Sequence, residues 1–356
     1  MRSRGILDAG VRGAICILLA AVCAMLCWYA VAWELRPGLF PILDELGTKA
    51  IVSFVSYRQI LNFFPNQFYA DRPLGWAFIR LVNDWFGFNY EGQAACLSIL
   101  HFANCALAFR LFRRLDLNLP LTIAAISLYG SLWTTAQTAT YIGEAFDIVC
   151  LFFLLGSVLA ILSEMRGASI LSAVLFLAAL RSKEFAIVTP PLLTILVALR
   201  LPRMPFRTAV TAIARRLWLH YTILLIFGIR YLVLFREDHT TLAPGSAYRM
   251  DWHLGTVLQS LAYYTTLIFG LDDSPHKAPP ILLALAFAAM LCWALFRRNP
   301  GMAFGVAGYV FTALPALLMP YTHAVFWMYG PQLFLILALS LLANEVLAVT
   351  LSSDHR

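Results

Sequence analysis

Charge is what this chain has least of. Asp, Glu, Lys and Arg make up 13% of its 356 residues, against about 25% in a typical soluble domain, which excludes an ordinary water-soluble fold. Cysteine is absent from the polar loops. Cys16, Cys23, Cys27, Cys96, Cys105, Cys150 and Cys292 all lie in apolar runs, where a thiol behaves as a small hydrophobe. That distribution argues against a disulfide framework and offers no metal-ligand spacing. No repeat of fixed period runs along the sequence, and no matched pair of Gly/Pro-broken helices marks an inverted-repeat transporter. Loops after residue 91 stay short until 236–280, so residues 1–356 read as a single membrane domain with no soluble domain appended.

What is abundant is apolar. The chain is 61% hydrophobic, with a mean hydropathy of +0.77. Runs approaching the roughly 20 residues needed to cross a hydrocarbon core fall at 12–33, 92–112, 121–137, 144–163, 168–181, 185–200, 216–235, 281–297, 302–320 and 325–349. The expectation is an all-α polytopic protein of about ten transmembrane helices. The first run has no small-residue cleavage site and is long for a signal peptide, so it reads as a permanent helix. Residues 256–271 are apolar but short and read as interfacial or re-entrant; a full crossing there would move Arg297, Arg298 and the C-terminus to the other side.

Arginine sets the orientation. Arg2, Arg4 and Arg12 precede the first run, Arg113 and Arg114 follow the second, and Arg166 follows the fourth. Arg200, Arg203, Arg207, Arg215 and Arg216 crowd the next basic loop, and Arg297 with Arg298 follow the eighth run. All fall on one side if the N-terminus is cytoplasmic. This bias, with contact to anionic headgroups, accounts for the net charge of +7 without any nucleic-acid partner.

The opposite side collects the acids: Asp44, Glu45, Asp71, Asp84, Glu91, Glu144, Asp147, Glu184, Glu237, Asp238, Asp272 and Asp273. Carboxylates near a membrane core are costly, so their gathering along one face points to a polar site there. The long loop at 34–91 carries two amphipathic segments, FPILDELGTKAIVSFVSYRQILNFF and DRPLGWAFIRLVNDWFGF. Such helices lie in the interface plane with Trp76 and Trp85 at headgroup depth, as a surface cap or as a lid bringing Asp44 and Asp71 over a cavity.

Several spacings suit chemistry. Asp44-Glu45 is an acidic pair able to take a proton from an attacking hydroxyl, or simply solvated charge. Arg72 is presented from an extended segment because Pro73 bars it from helix; its fork suits a phosphate, or a salt bridge to a neighbour. His101 and Asn104 share one helical face in an apolar span and suit interhelical hydrogen bonds. Tyr141, Glu144 and Asp147 recur every third residue, along one helical face opening the fourth span. Arg181-Ser182-Lys183-Glu184 places positive charge on the side that otherwise lacks it, for an anionic lipid phosphate or for pairing with Glu144 or Asp147. Arg236, Glu237, Asp238 and His239, with Asp272, Asp273, His276 and Lys277, form a carboxylate–histidine group that could take a divalent ion such as Mg2+ or Mn2+, though no tight ligand motif is present. His323, Trp327 and Tyr329 would line the same face, as an aromatic belt or a sugar-stacking surface.

In order along the chain, Asp44-Glu45, YADRPLGW, HFANCAL, Asp147, Ser182-Lys183-Glu184 and YGPQLFLIL resemble elements of integral-membrane glycosyltransferases of the GT-C fold. The resemblance is particularly to the membrane halves of protein O-mannosyltransferases and related bacterial enzymes. The resemblance covers most of the chain in short motifs. It implies a polyprenyl-phosphate-linked sugar as donor, a glycan, lipid or protein as acceptor, and transfer with inversion on the exterior face of a bacterial inner membrane. It maps the general base to Asp44, or to Glu45. It maps donor-phosphate contacts to Arg181 and Lys183, with Arg72 and Arg236 as further candidates. Asp71, Tyr141, Glu144, Asp147, His239, His323 and Tyr329 fall to acceptor or sugar binding. The flanks of ILDELG depart from the usual acidic motif, and the acceptor-reading C-terminal domain common in the family is not among the matching pieces. The competing readings are a lipid-linked glycan flippase or other transporter, which would want charge through the bundle midplane, and a non-catalytic scaffold that binds polyprenyl phosphate.

Overall fold

The computed structural model describes residues 43–61, 72–235, 249–268, 279–320 and 324–353. Fourteen α-helices and no strand occur among them. The predicted first span at 12–33 lies outside the described residues.

The loop at 34–91 is helical, as its amphipathic pattern predicts. It forms α1 (Leu43–Phe54), α2 (Tyr57–Ile60) and α3 (Pro73–Phe86). Ser56 and Gln59 close a capping box on α2, and Pro73 starts α3 at the position where its missing N–H costs nothing. Arg80 of α3 locks the three together. It donates to the carbonyls of Val52 (2.5 Å) and Val55 (3.0 Å) at the end of α1. It also pairs with Asp84 at 2.8 Å, which accepts the Tyr57 hydroxyl at 2.9 Å. Trp76 departs from the interfacial expectation: it is 4% exposed and meets Phe146 edge-on at 5.1 Å. Trp85 stays 67% exposed.

The bundle follows with α4 (Tyr90–Arg114), capped by the Asn89 side chain on Gly92, then α5 (Leu119–Ser131) and α6 (Trp133–Thr140). The single run at 121–137 is thus two helices meeting at 56°. The break falls at Leu132, whose backbone is extended. It is tolerated in an apolar setting because the Thr135 hydroxyl lies 2.7 Å from the Tyr129 carbonyl and 2.6 Å from that of Leu132, supplying a donor the broken ladder has lost. A 3-10 turn (Ile142–Glu144) leads into α7 (Ala145–Ile161), and Gly167, at φ 81°, turns the chain into α8 (Ala168–Leu180). A second 3-10 turn (Glu184–Val188) precedes α9 (Thr189–Arg200). Then come α10 (Phe206–Phe235), α11 (Leu254–Ile268), α12 (Pro280–Phe296) and α13 (Pro300–Leu317). A third 3-10 turn (Val325–Met328) opens onto α14 (Pro331–Ser353).

Among the described residues, five helical runs are long and apolar enough to cross a membrane: α4, Ile142–Ile161, Phe206–Arg230 of α10, α13 and Pro331–Ala348 of α14; the bent α5–α6 pair makes six if it is one span. The helices α8 and α12 are apolar but shorter. The chain is a membrane protein on this composition and helix inventory. The segment read as interfacial or re-entrant falls in α11, of which 15 residues are described, with Leu261, Tyr264, Leu267 and Ile268 packed into the core.

The core centres on α7, 78% of whose span is buried, packed between α4 and α8. The second main contact joins α13 to α14. Glycine permits it: a Cβ at Gly305 would lie 2.9 Å from the Ala338 amide nitrogen and 3.0 Å from the Phe334 carbonyl. One end of the bundle is basic. Arg200 donates to the Arg114 carbonyl, Arg216 to that of Ile161 at 2.6 Å, and Arg298 to that of Leu201 at 3.0 Å. These are the terminal carbonyls of α4, α7 and α9, where helix dipoles favour cations.

Gly305→Ala is expected to force α13 and α14 apart and to cost about 1–3 kcal/mol. A lowered thermal midpoint of the detergent-purified variant is the check; an unchanged midpoint would mean that the two backbones are not held at contact distance.

Candidate functional site

The acidic residues gather at the other end of α7. Glu144 closes the 3-10 turn, and Asp147 sits in the first turn of α7, where negative charge is favoured. Tyr141 does not share their helical face. It precedes the 3-10 turn in an extended conformation (φ −100°, ψ 109°), and its ring covers Gly143. The expected run of three on one face is therefore two residues and a flanking tyrosine.

Asp147 is 2% exposed and forms an ion pair with Lys183, 12% exposed, which is presented in an extended conformation between α8 and α9. Glu144 lies beside Asp147, within the field of Lys183 and Arg72. Arg72 reaches Glu184 through Nε at 2.6 Å, with both side chains about a third exposed (35% and 34%). The pair spans 112 positions of sequence, so Arg72 pairs with a distant segment and not with a neighbour. The Leu74 amide donates to the Arg181 carbonyl at 3.1 Å, which stitches the first turn of α3 to the end of α8. The Arg181 side chain is buried.

Aromatic rings floor the charges. The Arg72 guanidinium sits 5.4 Å from the Phe146 ring, and Lys183 Nζ lies 6.0 Å from the Phe326 ring. Both distances suit cation–π attraction. Gly75 allows this: a Cβ there would fall 2.3 Å from Phe146. Sequence reasoning missed Phe146 and Phe326, because a phenylalanine in an apolar run looks like core packing. It also gave Glu184 no role of its own; the signal was an acid directly following the out-of-place Lys183.

Beneath the charges lies a neutral polar network. The Tyr329 hydroxyl is 2.9 Å from His101 Nδ1 and accepts Asn104 Nδ2 at 3.1 Å, while Asn104 Nδ2 also reaches the Ile148 carbonyl at 3.0 Å. The Tyr129 hydroxyl donates to the Tyr329 carbonyl at 3.2 Å. His101 and Asn104 thus make the interhelical bonds their spacing predicted. Tyr329 does not line an open face as expected: it is fully buried, and its hydroxyl is taken up by this network.

Asp44 and Glu45 fall in the first turn of α1, but their side chains lie outside the described residues. The helix itself packs against α3 and against the turn carrying Glu144. Asp71, Arg236, His239 and His323 also lie outside the described residues, as do Glu237, Asp238, Asp272, Asp273, His276 and Lys277. Among the described residues no three His, Cys, Asp or Glu side chains are grouped to hold a metal.

The electrostatics follow from the pairing. Burial opposes charge on Arg72, but the Glu184 carboxylate, with Asp147 and Glu144 beyond it, outweighs that and raises Arg72 above its ordinary value. Burial would push Glu184 up, and the Arg72 guanidinium more than offsets it, so Glu184 lies below the usual glutamate value of 4.5. Together the groups form a paired charge cluster of Arg72 and Lys183 with Glu184, Asp147 and Glu144. Arg72 spends Nε on Glu184 and is about a third exposed (35%), so its outer nitrogens can meet a ligand.

Two outcomes are expected. Lys183→Met strands Asp147 in an apolar site and should cost about 3–5 kcal/mol, while Lys183→Met with Asp147→Leu should recover most of that loss; denaturant unfolding of both variants decides, and an equal loss in each would mean that the pair contributes only packing. Because Glu184 is depressed in the folded state, its contribution is present above the unfolded value of 4.5 and is lost as pH falls through the lower folded value. Thermal midpoints measured down an acid series should therefore fall more steeply for the unmodified protein than for Glu184→Gln.

No protein-family model matches this chain, and no curated protein matches its sequence.

Proposed function

We propose that this protein is a GT-C-type membrane glycosyltransferase, a bundle of about ten spans that moves a sugar from a polyprenyl-phosphate donor to an acceptor hydroxyl at the exterior face of a bacterial inner membrane. One observation carries the reading: α1, which bears Asp44, packs on the turn that bears Glu144, beside Lys183 and the half-open Arg72. The helix that bears the candidate base and the cations that on this reading meet the phosphate thus come to one end of the bundle from segments far apart in sequence.

The chemistry needs no further group. The acceptor oxygen attacks the anomeric carbon, and a new C–O bond forms as the bond from that carbon to the phosphate oxygen breaks. The acceptor proton passes to Asp44, or to Glu45 in its place. Polyprenyl phosphate leaves with the electron pair, and its growing charge is met by Arg72, Arg181, Lys183 and Arg236. Asp71, Tyr141, Glu144, Asp147, His239 and His323 are left to hold the acceptor or the sugar. The buried Tyr329 supports the floor of the site in place of lining it. The lipid tail stays in the bilayer.

A second reading, a binding-only relative that holds polyprenyl phosphate, is favoured by one feature: Lys183 and Arg72 already have carboxylate partners. Asp44→Asn separates the two. Purified protein carrying this change is expected to retain polyprenyl phosphate by native mass spectrometry and to lose about 10²–10⁴-fold in transfer rate from polyprenyl-phosphate sugars. Lipid retention with no transfer by the unmodified protein on any donor tested would favour the binding-only reading. Retention of bulk phospholipid alone would sink both.

A further inference from the structure

The feature that the proposed activity does not use is α10. Its 30 residues (Phe206–Phe235) extend about 45 Å at 1.5 Å per residue, well beyond a hydrocarbon core of about 30 Å. The surplus lies at its start, because Arg216 is bonded to the carbonyl that ends α7 and the apolar stretch begins after it. The first ten residues of α10 therefore stand in the headgroup layer at the basic end of the bundle. They are poorly covered by the rest of the chain: none of residues 206–215 is buried.

One stripe runs down the exposed side. Arg207, Thr211, Arg215, Trp218, Leu225 and Ile229 are all exposed, and at about 100° per residue they fall within an arc of roughly 80°. The stripe changes character along its length. Its upper part carries Arg207, Thr208, Thr211, Ala212 and Arg215 on one open face of the helix. The Thr211 hydroxyl donates to the Arg207 carbonyl at 2.9 Å, leaving the two guanidinium groups and Thr208 to meet an anion. No ion pair among the described residues engages Arg207 or Arg215. Below these residues the exposed Trp218 and the apolar Leu225 and Ile229 continue the stripe.

We propose that this stripe is a binding site for an anionic phospholipid, its phosphate held by Arg207 and Arg215 and its acyl chains laid along Trp218, Leu225 and Ile229. A paired guanidinium fork fits phosphate oxygens. The length of α10 sets those forks at headgroup depth, and the apolar continuation distinguishes a lipid from a free phosphate. The site lies at the end of α10 opposite the loop that carries Arg236, so it is separate from the proposed donor site and stands whether or not the transferase reading does.

The test is native mass spectrometry of the full chain delipidated in mild detergent and titrated separately with phosphatidylglycerol, phosphatidylcholine, polyprenyl phosphate and inorganic phosphate. Phosphatidylglycerol is expected to bind at least tenfold more tightly than phosphatidylcholine. Arg207→Gln with Arg215→Gln should remove that preference, and Arg203→Gln, exposed in the preceding loop, should keep it. Because the arginines are exposed, the double variant should keep the thermal midpoint of the lipid-free protein. Equal phosphatidylglycerol retention in unmodified and doubly substituted protein would overturn the proposal, as would equal retention of phosphatidylcholine. Polyprenyl phosphate binding that the double variant loses, without phosphatidylglycerol binding, would overturn the assignment to a phospholipid. Inorganic phosphate displacing nothing supports the requirement for a tail.

Discussion

Everything at the acidic end depends on the cost of keeping Asp147 in an apolar bundle. An ion taken from water into such surroundings loses several kcal/mol unless a partner of opposite charge meets it with good geometry. Asp147 is 2% exposed, so Lys183 has little freedom. The chain between α8 and α9 must stop at the depth of Asp147 and turn there, which explains why α8 ends after 13 residues. Once Lys183 is fixed, Glu184 emerges on the adjacent side and takes Arg72 at 2.6 Å. That brings in the first turn of α3, sealed by the Leu74–Arg181 backbone bond. Pro73 and Gly75 then follow as local requirements, one to start α3 and one to let it lie on Phe146.

The same logic separates the two ends of the molecule. Acids occupy the N-terminal turn of α7, and Arg216 meets its last carbonyl; each sits where the helix dipole favours it. The 17 residues of α7 put about 25 Å between them, close to the thickness of a hydrocarbon core. Between the ends, the described interior of α4, α7 and α14 is crossed by neutral hydrogen bonds among Tyr329, His101, Asn104 and Tyr129, between Thr134 and Gln332, and from Ser157 through Ser172 to His220. Such a network holds helices together without the cost of buried charge. A charged path through the bundle, which a transporter of anionic glycans would want, is not part of this arrangement among the described residues.

How much of this was legible in the sequence depended on range. Hydropathy located the apolar helices, and the arginine bias located one basic end, because both are properties of single segments. The break at Leu132 was marked in the sequence only by Gly130-Ser131 just before it, a pair that many continuous helices also carry; the break survives through the Thr135 hydroxyl, and a threonine near a helix end is an ordinary sight. Trp76 read as interfacial for the opposite reason, since its burial depends on Phe146, seventy positions away. The membership of the charged cluster was legible in part: Asp147, Lys183 and Arg72 each stood out as misplaced charge. Their pairing was not, because partner choice over 112 positions is settled by packing. The aromatic floor carried no signal apart from its place in apolar runs.

The two ion pairs of the site differ in a way that bears on any anionic ligand. The Lys183–Asp147 pair is nearly shielded from water, and parting it would leave a buried carboxylate uncompensated, at about 3–5 kcal/mol. The Arg72–Glu184 pair is about a third exposed, and pairs in contact with water are held by about 0–1 kcal/mol. A phosphate arriving at the cluster would therefore draw on Arg72 first, rotating or sharing the guanidinium while Glu184 turns to solvent. Lys183 would contribute its field from a fixed position, balanced by Asp147. On the proposed reading this divides the labour between a cation that moves to the ligand and one that holds the shape of the site. The division needs no conformational change beyond the Arg72 and Glu184 side chains, because Phe146 and Gly75 already support the arginine.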